Sequence, residues 1–239
     1  MYRFLWLVVS MLFLFSCELY YDDNTRLLFK GNLSASFGTE TAALPIVAFA
    51  SGEFISPLLF FAISPYEDVD VIGMSNIEVN GSFAVTTISP SNEQKLFLVI
   101  NESNNPEYNA NFPTQFIEGV EKLTLKNSTY EIPSLSLNKI ATSEILIARK
   151  NNLTDTLFLG LKYNSKFKEI LIEEDNSVTT AYLSNKSYEV FPNENEFRIT
   201  FDHIQNEPIL IEYQLRYNGI TEQGEKEVVI TNNNYDFQF

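Results

Sequence analysis

The feature that most constrains the fold is an alternation of apolar and polar residues with period two, which recurs along most of the chain. The stretches "DTLFLGLKYN" (155–164), "FRITFDH" (197–203) and "ILIEYQLRYNG" (209–219) each place their large apolar residues at every second position. Successive side chains of a strand point to opposite faces, so this pattern predicts half-buried strands. Long helical periodicity is missing. The sequence therefore predicts an all-β chain of packed sheets.

Turn signals and strand groupings suggest how these strands are organised. "KLFLVIN" (95–101) is a continuous apolar run, as expected of a central strand covered on both faces. Asn80-Gly81 predicts a tight turn leading into a strand, and "ITEQGE" (220–225) predicts another turn before "KEVVIT" (226–231). We expect two consecutive β-sandwich domains over residues 27–140 and 141–239, with one large sandwich as the alternative. Residues 102–119 form the longest irregular stretch.

The N-terminal segment has the order of a secretory signal. Arg3 precedes an apolar run that is too short for the roughly 20 residues of a membrane-spanning helix, and Ser16 and Cys17 follow it. Residues 1–16 are predicted to be a signal peptide, and residues 17–26 a polar tether. Cys17 is the only cysteine of the 239 residues, so the fold cannot depend on a disulfide and must rest on its hydrophobic core.

"Leu14-Phe15-Ser16-Cys17" resembles the lipobox of bacterial lipoproteins. The resemblance implies that the chain is cut before Cys17 and that its thiol is lipidated, which anchors the protein to a membrane. Glu18, Asp22 and Asp23 resemble the acidic surface-export signal of Bacteroidota lipoproteins. The expected location is therefore the outer membrane, with the protein lipid-anchored and exposed at the cell surface.

Residues 73–110 are similar to the second half of the transthyretin-like, carboxypeptidase-regulatory-like domains of Bacteroidota surface lipoproteins. The matching features are Asn80-Gly81, the Ser82-Phe83 strand start, Pro90 in a turn and the apolar strand 96–100. The early motifs of that family are only echoed in this chain, by "KGNLSASF" and "LPIVAFAS". The resemblance implies a structural or binding module without catalytic activity in the first domain.

Charge and residue inventory exclude several classes of function. The formal net charge is −15, which repels nucleic acid, so no nucleic-acid partner is expected. His203 is the only histidine, and it continues the apolar parity of its strand; we expect a structural residue rather than a catalytic one. With one histidine and no free cysteine, we predict no metal site and no cofactor.

Three further features remain as candidates. Tyr108, Phe112 and Phe116 lie in the long irregular stretch and are the best candidates for a contact surface. Asp155-Thr156-Leu157 fits the Bacteroidota O-glycosylation pattern, so Thr156 is a candidate glycosylation site. The terminal alternation of Tyr235, Phe237 and Phe239 indicates either a last sandwich strand or the final strand of a small lipidated outer-membrane β-barrel.

The sequence as a whole predicts a non-catalytic, membrane-anchored lipoprotein that acts as a binding or assembly module at the bacterial cell envelope. Its expected partners are the membrane, through the N-terminal lipid, and another envelope protein or a glycan. A glycan hydrolase that uses two carboxylates remains an alternative, because 31 acidic residues are present and no two of them are singled out.

Overall fold

A computed structural model describes most of the chain after the predicted tether. The described residues are 26–34, 44–51, 69–90, 94–120, 123, 129–149, 156–192, 194–217, 220–231 and 233–239. The predicted signal peptide and Cys17 lie outside these ranges. Among the described residues, no helix is long and apolar enough to cross a bilayer.

The all-β prediction is confirmed, because the described residues form strands and connecting turns. The strands are β1 Arg26–Ser34, β2 Pro45–Ser51, β3 Val69–Asn76, β4 Ser82–Ile88, β5 Lys95–Ile100, β6 Thr114–Glu118, β7 Thr129–Glu131, β8 Leu135–Ser136, β9 Ile140–Ala148, β10 Thr156–Tyr163, β11 Phe167–Ile172, β12 Val178–Ala181, β13 Ser184–Val190, β14 Glu196–Ile204, β15 Pro208–Tyr217, β16 Ile220–Val229 and β17 Asn234–Gln238.

The first sandwich packs a small sheet on a large one. The small sheet has the order β4-β1-β7, with β8 also paired to β1, and the large sheet has the order β12-β11-β6-β5-β2-β3. Residues from both sheets share one core, in which Phe29 of β1 and Phe83 of β4 meet Leu98 of β5. Removing these side chains from water is the main term that holds the two sheets together.

The central strands of the large sheet are buried on both faces. All seven residues of β2 are buried, as are Leu96 to Ile100 of β5, which confirms the prediction for that run. One face joins the sandwich core. On the other face, Phe97 stacks on Phe49 and Phe116, with ring centroids 5.5 Å and 4.6 Å apart. Offset aromatic pairs of this kind add to the free energy of burial.

The second sandwich packs the sheet β13-β10-β15-β16 on the sheet β14-β9-β17. Its core takes the apolar positions of the alternating strands, including Leu159, Ile199 and Ile211, as the period-two pattern predicts. The terminal stretch is confirmed as a sandwich strand, since β17 pairs in parallel with β9 and buries Phe237.

Two strands from the second half of the chain belong to the first sandwich. β11 pairs in parallel with β6, and β12 extends the same sheet beyond β11. Ile170 and Ile172 are part of the first core. A cut between residues 140 and 141 would therefore separate β11 and β12 from the sheet to which they pair.

Two close contacts fix the position of β11, which we call the crossing strand because it passes from the second sandwich into the first sandwich. Gly119, directly after β6, has φ +77, and a Cβ placed on it would lie 2.3 Å from the carbonyl oxygen of Ile172. Only glycine suits that conformation and that approach. Lys168 of β11 forms a salt bridge with Glu207, in the turn between β14 and β15, and the side chains are only 7% and 12% exposed. This pair ties the crossing strand to the second sandwich.

Two local predictions are wrong. The stretch 102–119 is not irregular throughout, because residues 114–118 form β6, a nearly fully buried strand. Residues 220–225 do not form a turn; they are the first part of β16, which runs unbroken to Val229 opposite β15. By contrast, the Asn80-Gly81 turn is confirmed. Gly81 has φ +84, and the Ser82 N–H donates to Asn80 Oδ1 at 2.9 Å.

Candidate ligand-binding groove on the second sandwich

The outward face of the sheet β13-β10-β15-β16 carries the candidate site. Along β10, Leu159 and Leu161 point into the core, whereas Phe158, Gly160 and Lys162 are half-buried on the opposite face. The register places Gly160 between Ser187 of β13 and Glu212 of β15. The next strand continues this row, because Glu212 stands directly opposite Glu225 of β16.

Gly160 opens a groove in this row because it has no side chain. A Cβ placed there would lie 3.4 Å from Glu212 Oε2, which is ordinary contact, so the glycine is required neither by its backbone angles nor by crowding. The resulting groove, which we call the Gly160 groove, has a volume of about 710 Å³. That volume is within the range of small-molecule sites. Its lining side chains are Phe158, Ser187, Glu212, Gln214, Gln223 and Glu225.

The cations beside the groove are already engaged. Lys162 Nζ donates to Glu212 Oε1 at 2.7 Å, and both side chains are partly exposed. The Arg216 guanidinium lies over the Phe158 ring, 4.8 Å from its centroid, and donates from Nη2 to Gln214 Oε1 at 3.1 Å. Exposed ion pairs of this kind stabilise the fold by about 0–1 kcal/mol at most, so their main effect is to position the side chains.

The groove therefore presents polar groups and, among its described residues, no unpaired cation. The hydroxyl of Ser187 and the amide of Gln223 offer donors and acceptors, and the Glu225 carboxylate offers acceptors. An arrangement with both donors and acceptors matches an uncharged ligand that has many hydroxyl groups. The isolated glycine inside the strand pattern of β10 is the sequence signal that could have located the groove.

The predicted aromatic contact surface is mostly in the core. Phe112 and Phe116 are only 2% and 1% exposed, so neither ring is available to a ligand, and the prediction is wrong for both. Tyr108 is half-buried, and burial raises the pKa of its hydroxyl. Asn101, which is buried and has φ +56, fixes the position of the segment that follows it. Its Nδ2 donates to the carbonyl oxygens of Asn109 and Phe112, at 2.9 Å and 2.8 Å.

The other predicted modification sites are not tested by the structure. Thr156 is half-buried at the start of β10, opposite Arg216, at one end of the sheet that carries the Gly160 groove. Its glycosylation stays a prediction. Cys17 lies outside the described residues, and so does Asp155 of the glycosylation pattern.

Ser143 and His203 form a buried pair that has the geometry of a nucleophile and its base. Ser143 Oγ lies 2.7 Å from His203 Nε2, and His203 Nδ1 lies 3.0 Å from the carbonyl oxygen of Ile204. A carbonyl only accepts, so Nδ1 carries the proton and Nε2 accepts the hydrogen bond from Ser143. The two residues are 2% and 1% exposed, which leaves no route for a substrate to reach Ser143. The pair satisfies polar groups in the core.

No metal or carboxylate constellation stands out elsewhere in the described part of the chain. Within it, no group of three or more His, Cys, Asp and Glu side chains is arranged to hold a metal ion. The facing residues Glu212 and Glu225 are the two carboxylates that the groove brings together.

Comparisons with known proteins give no family. The sequence matches no known protein-family model and no curated protein. Among solved structures, the shaft pilin SpaA of Lactobacillus rhamnosus GG aligns with 90% of this chain and 97% of its own, at 9% identity and a TM-score of 0.28. A proposed cell adhesion protein of Bacteroides ovatus aligns with 90% of this chain and 92% of its own, at 13% identity and a TM-score of 0.26.

A 9R-lipoxygenase of Cyanothece also aligns with part of the chain. The alignment covers 46% of this chain and 16% of the lipoxygenase, at 17% identity and a TM-score of 0.28. TM-scores this low do not establish a shared topology. These alignments therefore carry no information about function.

Burial of His203 predicts a pH-dependent stability. Burial lowers the pKa of its imidazole below the usual value of about 6.5. As pH falls below that value, the unfolded chain binds a proton that the folded chain resists, so the free energy of unfolding should fall until the folded pKa is reached. Urea unfolding at pH 7.5 and 5.5 measures this loss.

His203 is the only histidine in the chain, so His203→Gln removes the whole histidine contribution and serves as the control. The variant should lose less unfolding free energy than the wild type between pH 7.5 and 5.5. Equal losses in the two proteins would contradict the assignment of the effect to His203.

Proposed function

We propose that the protein is a non-catalytic glycan-binding module of the bacterial cell envelope, anchored by a lipid on Cys17. The observation that carries the binding proposal is the Gly160 groove. It is a recess at a glycine in the sheet face, with amide, hydroxyl and carboxylate groups around it. The lipobox resemblance of residues 14–17 supports the anchor.

The charge pattern favours an uncharged glycan over other ligands. The chain has a net charge of −15, which disfavours nucleic acid and other polyanions. Two cations lie beside the groove. Lys162 is paired with Glu212. Arg216 lies over the Phe158 ring and donates to Gln214. A sugar can exchange hydrogen bonds with Ser187, Gln223 and Glu225 without disturbing these pairs.

A carboxylate-based glycan hydrolase is the second candidate, favoured by one observation. Glu212 and Glu225 face each other across neighbouring strands inside the groove. Directly opposed residues on antiparallel strands have Cβ atoms about 4.5–5.5 Å apart, and retaining glycosidases hold their two carboxyl groups about 5–5.5 Å apart. However, Lys162 Nζ already donates to Glu212 Oε1 at 2.7 Å, so this carboxylate is engaged in an ion pair rather than presented to a ligand.

The anchor is tested in the bacterial host. Globomycin, which blocks lipoprotein signal cleavage, should cause the unprocessed precursor to accumulate, and Cys17→Ala should release the protein from the membrane fraction. Normal processing in the presence of globomycin, or a Cys17→Ala protein that stays with the membrane, would contradict the anchor while leaving the groove proposal untouched.

Filling the groove tests the binding proposal. Gly160→Leu should place a side chain over the floor and reduce binding to a microarray of neutral glycans by at least about tenfold, or roughly 1.4 kcal/mol. Thr179→Leu is the matched control, because it adds the same side chain at an exposed position of β12, on the other sandwich. It should leave binding unchanged.

Three results of this experiment would count against the proposal. Equal binding by the Gly160→Leu variant and the wild type would move the site elsewhere. Absence of any glycan binding by the wild type would reject a glycan ligand. Release of reducing sugar by the wild type, lost in Glu225→Gln, would establish the hydrolase instead.

A further inference from the structure

The two sheets of the second sandwich have different numbers of strands. The sheet β13-β10-β15-β16 has four, and the sheet β14-β9-β17 has three. At one side, Tyr188 of β13 contacts Phe197 of β14. At the other side, both Tyr213 of β15 and Lys226 of β16 lie against rings of β17. The position beside β17, opposite β16, holds no strand in the described part of the chain.

The inward positions of β16 reflect this missing neighbour. Val228 faces the core, but Glu222, Gly224 and Lys226, which share its parity, are polar or lack a side chain. A strand fully covered by an opposing sheet would carry apolar residues there. The Tyr213 ring instead folds over Gly224, where a Cβ would lie 2.5 Å from its hydroxyl oxygen.

A cleft of about 380 Å³ opens between β16 and β17. Tyr213, Leu215, Tyr235 and Phe237 give it an apolar floor, and the Tyr213 and Phe237 ring centroids are 5.6 Å apart. Its rim carries the carboxylate of Glu222, which shares the inward parity of Val228, and Asp236 is exposed beside it on the outer face of β17. The ammonium group of Lys226 lies over the Tyr235 ring. The rim is therefore negatively charged.

The outer edge of β17 offers backbone hydrogen-bonding groups. The Glu144 N–H donates to the Asn233 carbonyl oxygen at 2.8 Å, and the Phe239 N–H donates to the Ala148 carbonyl oxygen at 3.3 Å. Odd-numbered residues of this segment thus direct their backbone groups toward β9. Because the direction alternates along a strand, Asn234, Asp236 and Gln238 direct theirs away from β9, where the described residues provide no partner.

We propose that this edge and cleft receive an extended strand of another envelope polypeptide, which pairs with β17 as the fourth strand of its sheet. Every second side chain of the incoming strand enters the apolar cleft, and the alternate, basic side chains lie on the outer face of the sheet beside Asp236. Addition of a strand to a free sheet edge is a general mode of peptide recognition, in which backbone hydrogen bonds supply affinity and alternate pockets supply specificity.

The occupant is a different polypeptide rather than a second copy of this chain. Two copies would bring together two molecules that each have a net charge of −15 and two rims of the same sign. A small ligand could fill the apolar floor but could not match a row of backbone donors and acceptors spaced along five residues. An extended chain with alternating apolar and basic residues matches both.

The test uses the full-length protein in mild detergent and a fluorescein-labelled peptide, Lys-Val-Lys-Val-Lys-Val-Lys, with Glu-Val-Glu-Val-Glu-Val-Glu as its charge control. Fluorescence anisotropy should show saturable binding of the basic peptide and at least tenfold weaker binding of the acidic one. Hydrogen exchange should show that the basic peptide protects the backbone amides of Asn234, Asp236 and Gln238.

Asp236→Pro removes one outward N–H without removing a donor to β9, since proline is tolerated where the N–H of an edge strand faces solvent. It should weaken binding of the basic peptide at least tenfold. Asp236→Asn, which removes the charge and keeps the N–H, is the matched control and should bind more tightly than Asp236→Pro. An N-methylated form of the basic peptide, blocked at every second amide, should fail to bind the wild type even if Asp236→Pro is poorly folded.

Four outcomes would overturn the proposal. These are no binding of the basic peptide, equal binding of the N-methylated peptide, protection confined to amides outside residues 234–238, and dimerisation of the protein alone through this edge, as measured by sedimentation. Since β17 and the floor of the Gly160 groove lie on different sheets, loss of peptide binding in Asp236→Pro with glycan binding retained separates this site from the groove.

Discussion

The parallel pairing of β6 with β11 is the constraint on which the rest of the structure depends. It takes a strand from the second half of the chain into the large sheet of the first sandwich, where Ile170 and Ile172 complete the first core. The approach at Gly119 admits no side chain, and the buried pair of Lys168 and Glu207 secures the other side of the crossing. Removing one partner of such a pair leaves a buried charge and typically costs about 3–5 kcal/mol.

The course of β11 and β12 through the first sandwich determines where the two proposed binding surfaces lie. β10, directly before β11, and β13, directly after β12, are neighbours in the sheet that carries the Gly160 groove. The chain between them forms β11 and β12 in the first sandwich. The pairing register of β10 with β13 therefore depends on where the chain enters and leaves that sandwich. The groove and the β17 edge both belong to the second sandwich, whereas the predicted lipid anchor precedes the first. Both proposed binding surfaces therefore follow the predicted anchor and the first sandwich in the sequence.

The sequence predicts local features well and long-range pairing poorly. The alternation in β10 and β14, the buried run 96–100 of β5 and the Asn80-Gly81 turn all follow from neighbours in sequence, and all are confirmed. The strand β6 was hidden because it follows a loop rich in Asn and Pro and is buried on both faces, so it shows no alternation. Its pairing with β11, about fifty residues later, has no local signature.

The candidate sites likewise depend on contacts between residues that are far apart in the sequence. Phe112 and Phe116 look like loop aromatics in the sequence, but both are buried. Asn101 holds the backbone of Phe112, and Phe116 belongs to β6 and stacks on Phe97. Predicting the Gly160 groove requires the pairing register between strands, because Ser187, Glu212 and Glu225 come from three other strands. The free edge of β17 can be recognised only when the strands of each sheet are known. Neither quantity can be obtained from residue spacing.

Native-state hydrogen exchange in increasing urea tests most directly whether the crossing couples the two sandwiches. Amides of Val99 and Ile117 report on the first core, those of Leu159 and Ile211 report on the second, and that of Ile170 reports on the crossing strand. If the β6–β11 pairing joins the cores, the opening free energies of all five should converge to one value as urea rises, as expected for a single cooperative unit. Convergence to two separate values, with Leu159 and Ile211 opening while Val99, Ile117 and Ile170 stay protected, would contradict the account.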